Sequence, residues 1–403
     1  MKRKNECKTI VFHAHEFCLK EGGPCTKRID SFARNLTKKY NVIILTGKHN
    51  KKKEYKEISR DYKIFYCPII SSGKKSAFRR FLEHISFAIT SFFVGITKVQ
   101  KVDYVVTTSP PPLISYSGYL ISKIKRSKLI YDVRDIWPDV AVEMNSFTKN
   151  SIYYKIFYKI ANFMYKKSDF ITTVSPGKVM KIKNYCKELK ESSKKVLYIP
   201  NGLDDEFLES KINSKLIKEY NLDKKNTICY IGNVGLAQNL DVLLDASKKL
   251  DKSYQILIFG DGAKKKELEN RIKSENINNV KCCGKIDYSD VYTILNNSKI
   301  SFISLKNNNM IDSIPTKIFD AIGAGCPVLL LASGDSCKII DETKFGEHIN
   351  DEKKLKNTIC YMIKNHEKYM IHRQESLNII KHKYMRNKIA KKFEMEAIER
   401  ILK

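Results

Sequence analysis

A chain of 403 residues exceeds what one hydrophobic core usually organises, so two domains are expected, and its 42% hydrophobic residues suffice for two buried cores. The 74 Lys and Arg against 44 Asp and Glu give a formal net charge of +30, spread along the chain, which favours an anionic partner or surface. Nucleic acid would fit that charge, but no zinc-ligand spacing, RNA-recognition aromatic motif or basic zipper accompanies it, and a membrane carrying anionic lipids fits equally well. Eleven cysteines, an odd number with no C-x-x-C pair, yield neither a zinc site nor a disulfide framework and read as reduced, mostly buried thiols of a cytoplasmic protein.

The basic N-terminus is followed by a short apolar run at 10–12, a first β-strand too short for a signal peptide. Further strands are predicted at 42–46, 64–67, 104–107, 128–132, 170–174 and 196–199, then at 227–232, 255–259, 279–283, 300–304 and 327–331, with amphipathic stretches between them. That alternation is the pattern of parallel sheets wrapped by helices. From about residue 351 the chain is helical in pattern, with no further strand. Tyr198-Ile-Pro-Asn-Gly-Leu-Asp-Asp-Glu-Phe207 breaks the alternation near residue 200 and is the hinge candidate between two α/β units.

Several turns carry residues suited to chemistry. Gly22-Gly23, after the first strand, lets backbone approach a ligand closely. Residues 81–96 are apolar on more than one helical face and follow Arg79-Arg80; they are too short to span a bilayer and fit an interfacial helix or a helix buried on the sheet. Tyr131-Asp-Val-Arg-Asp-Ile-Trp-Pro-Asp139 ends a strand with opposite charges, where open parallel sheets bind ligands; an Arg134–Asp139 ion pair is the purely structural alternative. His13 and His15 follow the first strand, and satisfied loop or core histidines are the commoner outcome. The most informative stretch is Asp312-Ser-Ile-Pro-Thr-Lys-Ile-Phe-Asp320. Pro315 suits a first helical turn, which leaves the amides of residues 313 to 317 pointing outward to attract an anion. With Asp312 before the helix and Asp320 on its second turn, both carboxylates can face one ligand, and a diphosphate with a sugar on each side fits.

This layout, an acidic residue, seven positions, a second acidic residue, then a small-residue turn and a Pro-Val strand, resembles the donor site of retaining glycosyltransferases of family 4, although that family more often has Glu at both positions. The resemblance covers nearly the whole chain, and "Asp-x-Arg-Asp-x-Trp-Pro" is similar to a subgroup that builds lipid-linked surface polysaccharides, including L-fucosamine and related amino-sugar transferases. It implies an α/β GT-B fold, two Rossmann-like domains facing a cleft, with residues 1–200 plus a returning helix at about 384–403 as acceptor domain and 201–383 as donor domain. It also implies that Asp312 contacts the transferred sugar, that Asp320 contacts the ribose, and that Gly22, Gly23, Gly232, Asn233, Gln238, Gly260, Lys285, Ser313, Ile314, Pro315 and Thr316 border the nucleotide sugar. Arg134 and Asp135 would line the acceptor side. The family's usual Arg and Lys are replaced by Asn233 and Gln238, so Lys317 is expected to compensate at the diphosphate.

The function so implied is retaining transfer of a sugar, an N-acetylated amino sugar by subgroup, from a UDP-sugar to a polyprenyl-diphosphate-linked saccharide in O-antigen or capsule assembly. It needs no metal or cofactor beyond the donor, and the protein would sit in the cytoplasm, peripherally on the anionic inner face of the cell membrane. A UDP-N-acetylglucosamine 2-epimerase of the same architecture and a basic nucleotide-sugar or nucleic-acid binding protein without turnover are the alternatives.

Overall fold

Apolar runs of four to seven residues fold here as parallel strands, because only helices on both sides of a sheet can bury them. The computed structural model describes residues 7–402 apart from 20–22, 49–60, 71–76, 145, 192, 194 and 306–309. The chain divides into two compact units, Met1–Asn201 with Arg386–Lys403, and Gly202–Met385.

In the first unit β1 (Thr9–His13), β2 (Asn41–Gly47), β3 (Lys63–Cys67), β4 (Tyr104–Ser109), β5 (Lys128–Val133), β6 (Phe170–Thr173) and β7 (Lys195–Tyr198) form a parallel sheet of order β3-β2-β1-β4-β5-β6-β7. Its helices are α1 (Pro24–Leu36), α2 (Ala77–Lys98), α3 (Pro112–Lys125), α4 (Asp139–Glu143), α5 (Ile152–Lys167) and α6 (Pro176–Glu188). Proline opens α1, α3 and α6, where its missing N–H is harmless, and Ser151 and Ser175 cap α5 and α6 by accepting from the Tyr154 and Lys178 amides. One sheet face packs on α1 and the returning helix Arg386–Phe393, with Phe32 stacked on Phe393 at 4.7 Å between centroids. The other face carries Val11, Leu45, Ile121, Met164 and Tyr165, contributed partly by α3 and α5.

The second unit contains β8 (Asn226–Ile231), β9 (Tyr254–Phe259), β10 (Val280–Gly284), β11 (Ile300–Ser304), β12 (Val328–Leu331) and β13 (Gly346–Ile349), in the order β10-β9-β8-β11-β12-β13. Twelve of these thirteen strands overlap the apolar runs of the sequence. The thirteenth, β13, reads Gly-Glu-His-Ile, pairs only with β12 and stays partly exposed, so an edge position removes the apolar run that would have announced it.

His13 is fully buried, bonded to Thr107 Oγ1 at 3.1 Å and Ser91 Oγ at 2.9 Å and stacked on Phe87; burial lowers its pKa to about 3, so it is a neutral, satisfied core histidine. All eleven cysteines are free thiols, but only five are buried, since several close strand ends or helix starts at the surface. Among the described residues no helix is long and apolar enough to cross a membrane.

Candidate active site

In both sheets the strand order reverses beside the first strand of the unit, between β1 and β4 and between β8 and β11, and the loops at the carboxyl ends of such strands diverge to leave a ligand crevice. The loops that the sequence singled out sit at these edges.

In the second unit the turn after β8 is stitched to its neighbours by backbone. The Gly232 amide donates to Phe259 O at 2.9 Å, the Val234 amide to Asp261 O at 2.9 Å, and the Gly260 amide to Gly284 O at 2.6 Å. The approach is so close that a side-chain carbon on Gly260 (φ +143°) would fall 1.8 Å from Gly232 O, which is why this turn takes glycine. On the other flank the Asp335 amide donates to Ile311 O at 2.7 Å, which fixes the loop carrying Asp312, itself 9% exposed.

Lys317 is the centre of this arrangement. Its Nζ donates to Tyr230 Oη at 2.6 Å and lies 3.9 Å from that ring's centroid, while Tyr230 Oη donates to the carbonyl of Asn233 at 2.5 Å. Its terminal carbon and nitrogen pack on Gly232 (φ +146°), where a Cβ would sit only 2.8 Å from each. Burial lowers the Lys317 pKa to about 7, against an opposing pull from the Asp320 carboxylate. Asp320 accepts from Tyr288 Oη at 3.0 Å. The structure therefore brings Gly232, Asn233 and Gly260 around the half-buried Lys317 side chain, whose Nζ rests on the neutral phenol of Tyr230.

Other expectations change. The helix begins at Lys317, not at Pro315: Thr316 is its cap, Asp320 lies in the first turn, and the element spans only Lys317–Gly323. The Ser313 amide is spent on Met310 O at 3.1 Å, and the carbonyls of Pro315 and Thr316 accept from Ile318 and Phe319. The open row of amides expected over residues 313 to 317 is thus interrupted at Ser313 and at Pro315, which has no N–H; Ile314 is half-buried beside them. Gln238 caps its own turn, its Oε1 accepting from the Gly235 amide at 3.1 Å, and Lys285 is exposed just beyond β10. Among the described residues no group of three or more His, Cys, Asp or Glu is placed to hold a metal ion.

At the first unit's edge Gly22 lies outside the described residues, and Gly23 caps α1. Arg134 does not pair with Asp139. It donates to Thr108 Oγ1 at 3.1 Å and Pro110 O at 3.2 Å, with half-buried Asp135 following it, while Asp139 accepts from Tyr154 at 3.1 Å and pairs with Lys181 at 3.3 Å. The partner that sequence reasoning missed is Arg28. It is 2% exposed, meets both carboxylate oxygens of Asp132 at 3.0 and 3.3 Å and donates to Pro200 O at 2.7 Å, while Thr172 Oγ1 donates to Asp132 at 2.7 Å. Burial works to raise the Asp132 pKa, but the Arg28 guanidinium and the Thr172 hydroxyl outweigh it and hold the carboxyl below its ordinary value. The hinge candidate is thereby tied on both sides: Pro200 to Arg28 in the first unit, and in the second the Leu203 amide to Tyr384 O at 2.8 Å.

Comparison with known proteins fits these edges. Residues 213–377 match the family Glycosyl transferases group 1. The uncharacterized glycosyltransferase MJ1069 of Methanocaldococcus jannaschii is 20% identical over 383 residues, 92% of this chain and 93% of that one. A putative colanic acid biosynthesis glycosyl transferase of Escherichia coli, WcaI, is 20% identical over 283 residues, 67% of each chain. The crystal structure of Anabaena Alr3699/HepE in complex with UDP and glucose superposes with a TM-score of 0.71 over 96% of this chain and 98% of that chain, at 14% identity. The fold is GT-B, and the curated relatives that the chain resembles are glycosyltransferases.

Proposed function

We propose that this chain is a retaining glycosyltransferase that moves a sugar, an N-acetylated amino sugar by the likeness of residues 131–139, from UDP to a polyprenyl-diphosphate-linked saccharide during surface-polysaccharide assembly on the anionic inner face of the cell membrane. The observation that carries the reading is the half-buried Lys317 side chain, packed against Tyr230 and the Gly232 turn and flanked in sequence by Asp312 and Asp320. UDP and glucose in the Anabaena protein support a nucleotide-sugar donor, and the colanic acid relative supports a polysaccharide product.

In this reading the bond from the sugar's anomeric carbon to the β-phosphate oxygen breaks first. Negative charge grows on the departing diphosphate, and Lys317 with the neighbouring backbone amides stabilises it. The acceptor hydroxyl then attacks the oxocarbenium-like carbon from the face the phosphate leaves, and its proton departs with the diphosphate. Asp320 holds the ribose hydroxyls, Asp312 the transferred sugar, and Arg134 and Asp135 the acceptor side. No metal and no covalent enzyme intermediate is required.

The test is incubation with UDP-N-acetylglucosamine and a polyprenyl-diphosphate saccharide, with and without a chelator. UDP release together with an elongated lipid in both conditions supports the reading. Conversion of the donor without any acceptor would make the protein a 2-epimerase, and salt-sensitive nucleic-acid binding without UDP release would make it a binding module.

A further inference from the structure

Three neighbouring helices of the first unit are apolar on their outer as well as their inner sides. Inward, Phe87 of α2, Ile121 of α3 and Met164 of α5 are fully buried. Outward, α2 exposes Phe81, Ile89 and Phe93 by 42, 53 and 56%, a spacing that places them along one side of the helix. On α3, Tyr116 and Ile124 are 44 and 56% exposed, and on α5 the values for Ile152, Tyr153 and Ile156 are 64, 61 and 48%. Tyr116 lies 5.3 Å and Tyr119 4.9 Å from Phe163, so aromatic rings bridge the seam between α3 and α5. Single exposed apolar residues need no explanation, but adjoining stripes on three packed helices do.

The charge on the same helices is one-sided. They hold nine Lys and Arg and one carboxylate, Glu83, which is buried and lies 3.4 Å from His15. On α5, Lys155 and Lys159 are exposed and interleave with Ile152 and Ile156. A second copy docking through this face would set its cations against each other. An anionic bilayer takes both components: apolar side chains enter the headgroup boundary while Lys and Arg stems reach the lipid phosphates.

We propose that the outer face of α2, α3 and α5 is a docking surface for an anionic lipid bilayer. This rests on the proposed lipid-linked acceptor only for its purpose, since the face itself is defined by exposure and charge. It also resolves the two readings of residues 81–96: α2 buries one side on the sheet and presents the other to the lipid.

The experiment is co-sedimentation of the full chain with phosphatidylglycerol-containing vesicles and with pure phosphatidylcholine vesicles, at low and high salt, alongside light scattering without lipid. The parent protein pellets with the anionic vesicles and is partly released by salt. Lys155→Glu with Lys159→Glu weakens that binding about tenfold or more, taking roughly 1 kcal/mol for each basic residue near the surface. Phe93→Asp with Ile156→Asp abolishes it at either salt. Calorimetry with UDP on the same variants gives parental affinity, so lost pelleting reports on the surface and not on folding, and an absence of UDP binding in every form would count against the donor reading alone. Equal recovery with both vesicle types, parental pelleting of Phe93→Asp with Ile156→Asp, or a parent dimer that this variant dissolves would overturn the proposal.

Discussion

The carboxyl edges of the two sheets hold an inward-packed cation in opposite ways. At the first, Arg28 meets Asp132 through both carboxylate oxygens and also holds Pro200 O, so charge is balanced internally. At the second, Lys317 meets the phenol of Tyr230 at 2.6 Å, its one hydrogen-bond partner among the described residues, and burial lowers its pKa to about 7. A buried cation that already has its carboxylate holds structure together; a half-buried cation set on a neutral partner can still gain energy from an incoming anion. Under the proposed function Arg28 belongs to the architecture and Lys317 to the donor.

The sharpest way to break that contrast is to truncate each cation. Arg28→Ala leaves Asp132 buried without its partner and should destabilise the protein by about 3–5 kcal/mol in urea unfolding. Asp132→Asn should make acid unfolding less steep. The folded Asp132 pKa is depressed, so its stabilisation is present above the ordinary carboxylate pKa and lost as pH falls through the lowered folded value. Lys317→Met, by contrast, should leave urea stability close to the parent while kcat falls about a hundredfold, or about 3 kcal/mol, read by UDP release. A Lys317→Met enzyme with parental turnover would move the diphosphate role to Lys285 or the Gly22-Gly23 loop.

Smaller effects divide the donor site itself. Asp320→Ala should weaken UDP binding about tenfold, as expected for loss of a charged hydrogen bond of about 1.4 kcal/mol, while Asp312→Ala keeps UDP affinity and loses turnover. Unchanged calorimetric affinity in Asp320→Ala would refute the ribose assignment. Smallest of all, Tyr230→Phe removes the hydroxyl between Lys317 and Asn233 O and should cost about 1 kcal/mol of stability, seen as a lowered urea midpoint.

Much of the fold was legible because buried parallel strands announce themselves as apolar runs; β13 was not, because an edge strand of Gly-Glu-His-Ile carries no such run. In the candidate site, the close backbone turns at Gly232 and Gly260 were legible because the chain itself carries the glycines they need. Long-range pairing was not. Nothing in the sequence joins Arg28 to Asp132 across 104 positions, and the carboxylate within Tyr131-Asp-Val-Arg-Asp drew attention to Arg134 instead. The helix start after Pro315 was placed too early, since Pro315 fits the turn before the cap as well as the first helical position. The Lys317–Tyr230 contact spans 87 positions, and only the rule that carboxyl edges of parallel strands meet could have suggested it.

The central claim, that Lys317 receives the donor's diphosphate, predicts a proton. Burial lowers the Lys317 pKa to about 7, and a bound diphosphate must raise it, so UDP binding takes up a proton above that pH. Calorimetry of UDP binding at pH 8 in two buffers of different ionisation enthalpy should report an uptake approaching one proton, and affinity should be level below about pH 7 and fall up to about tenfold per pH unit above it. Lys317→Met should abolish the uptake and flatten the profile. Tight UDP binding by the parent with no proton uptake at pH 8 would contradict the account.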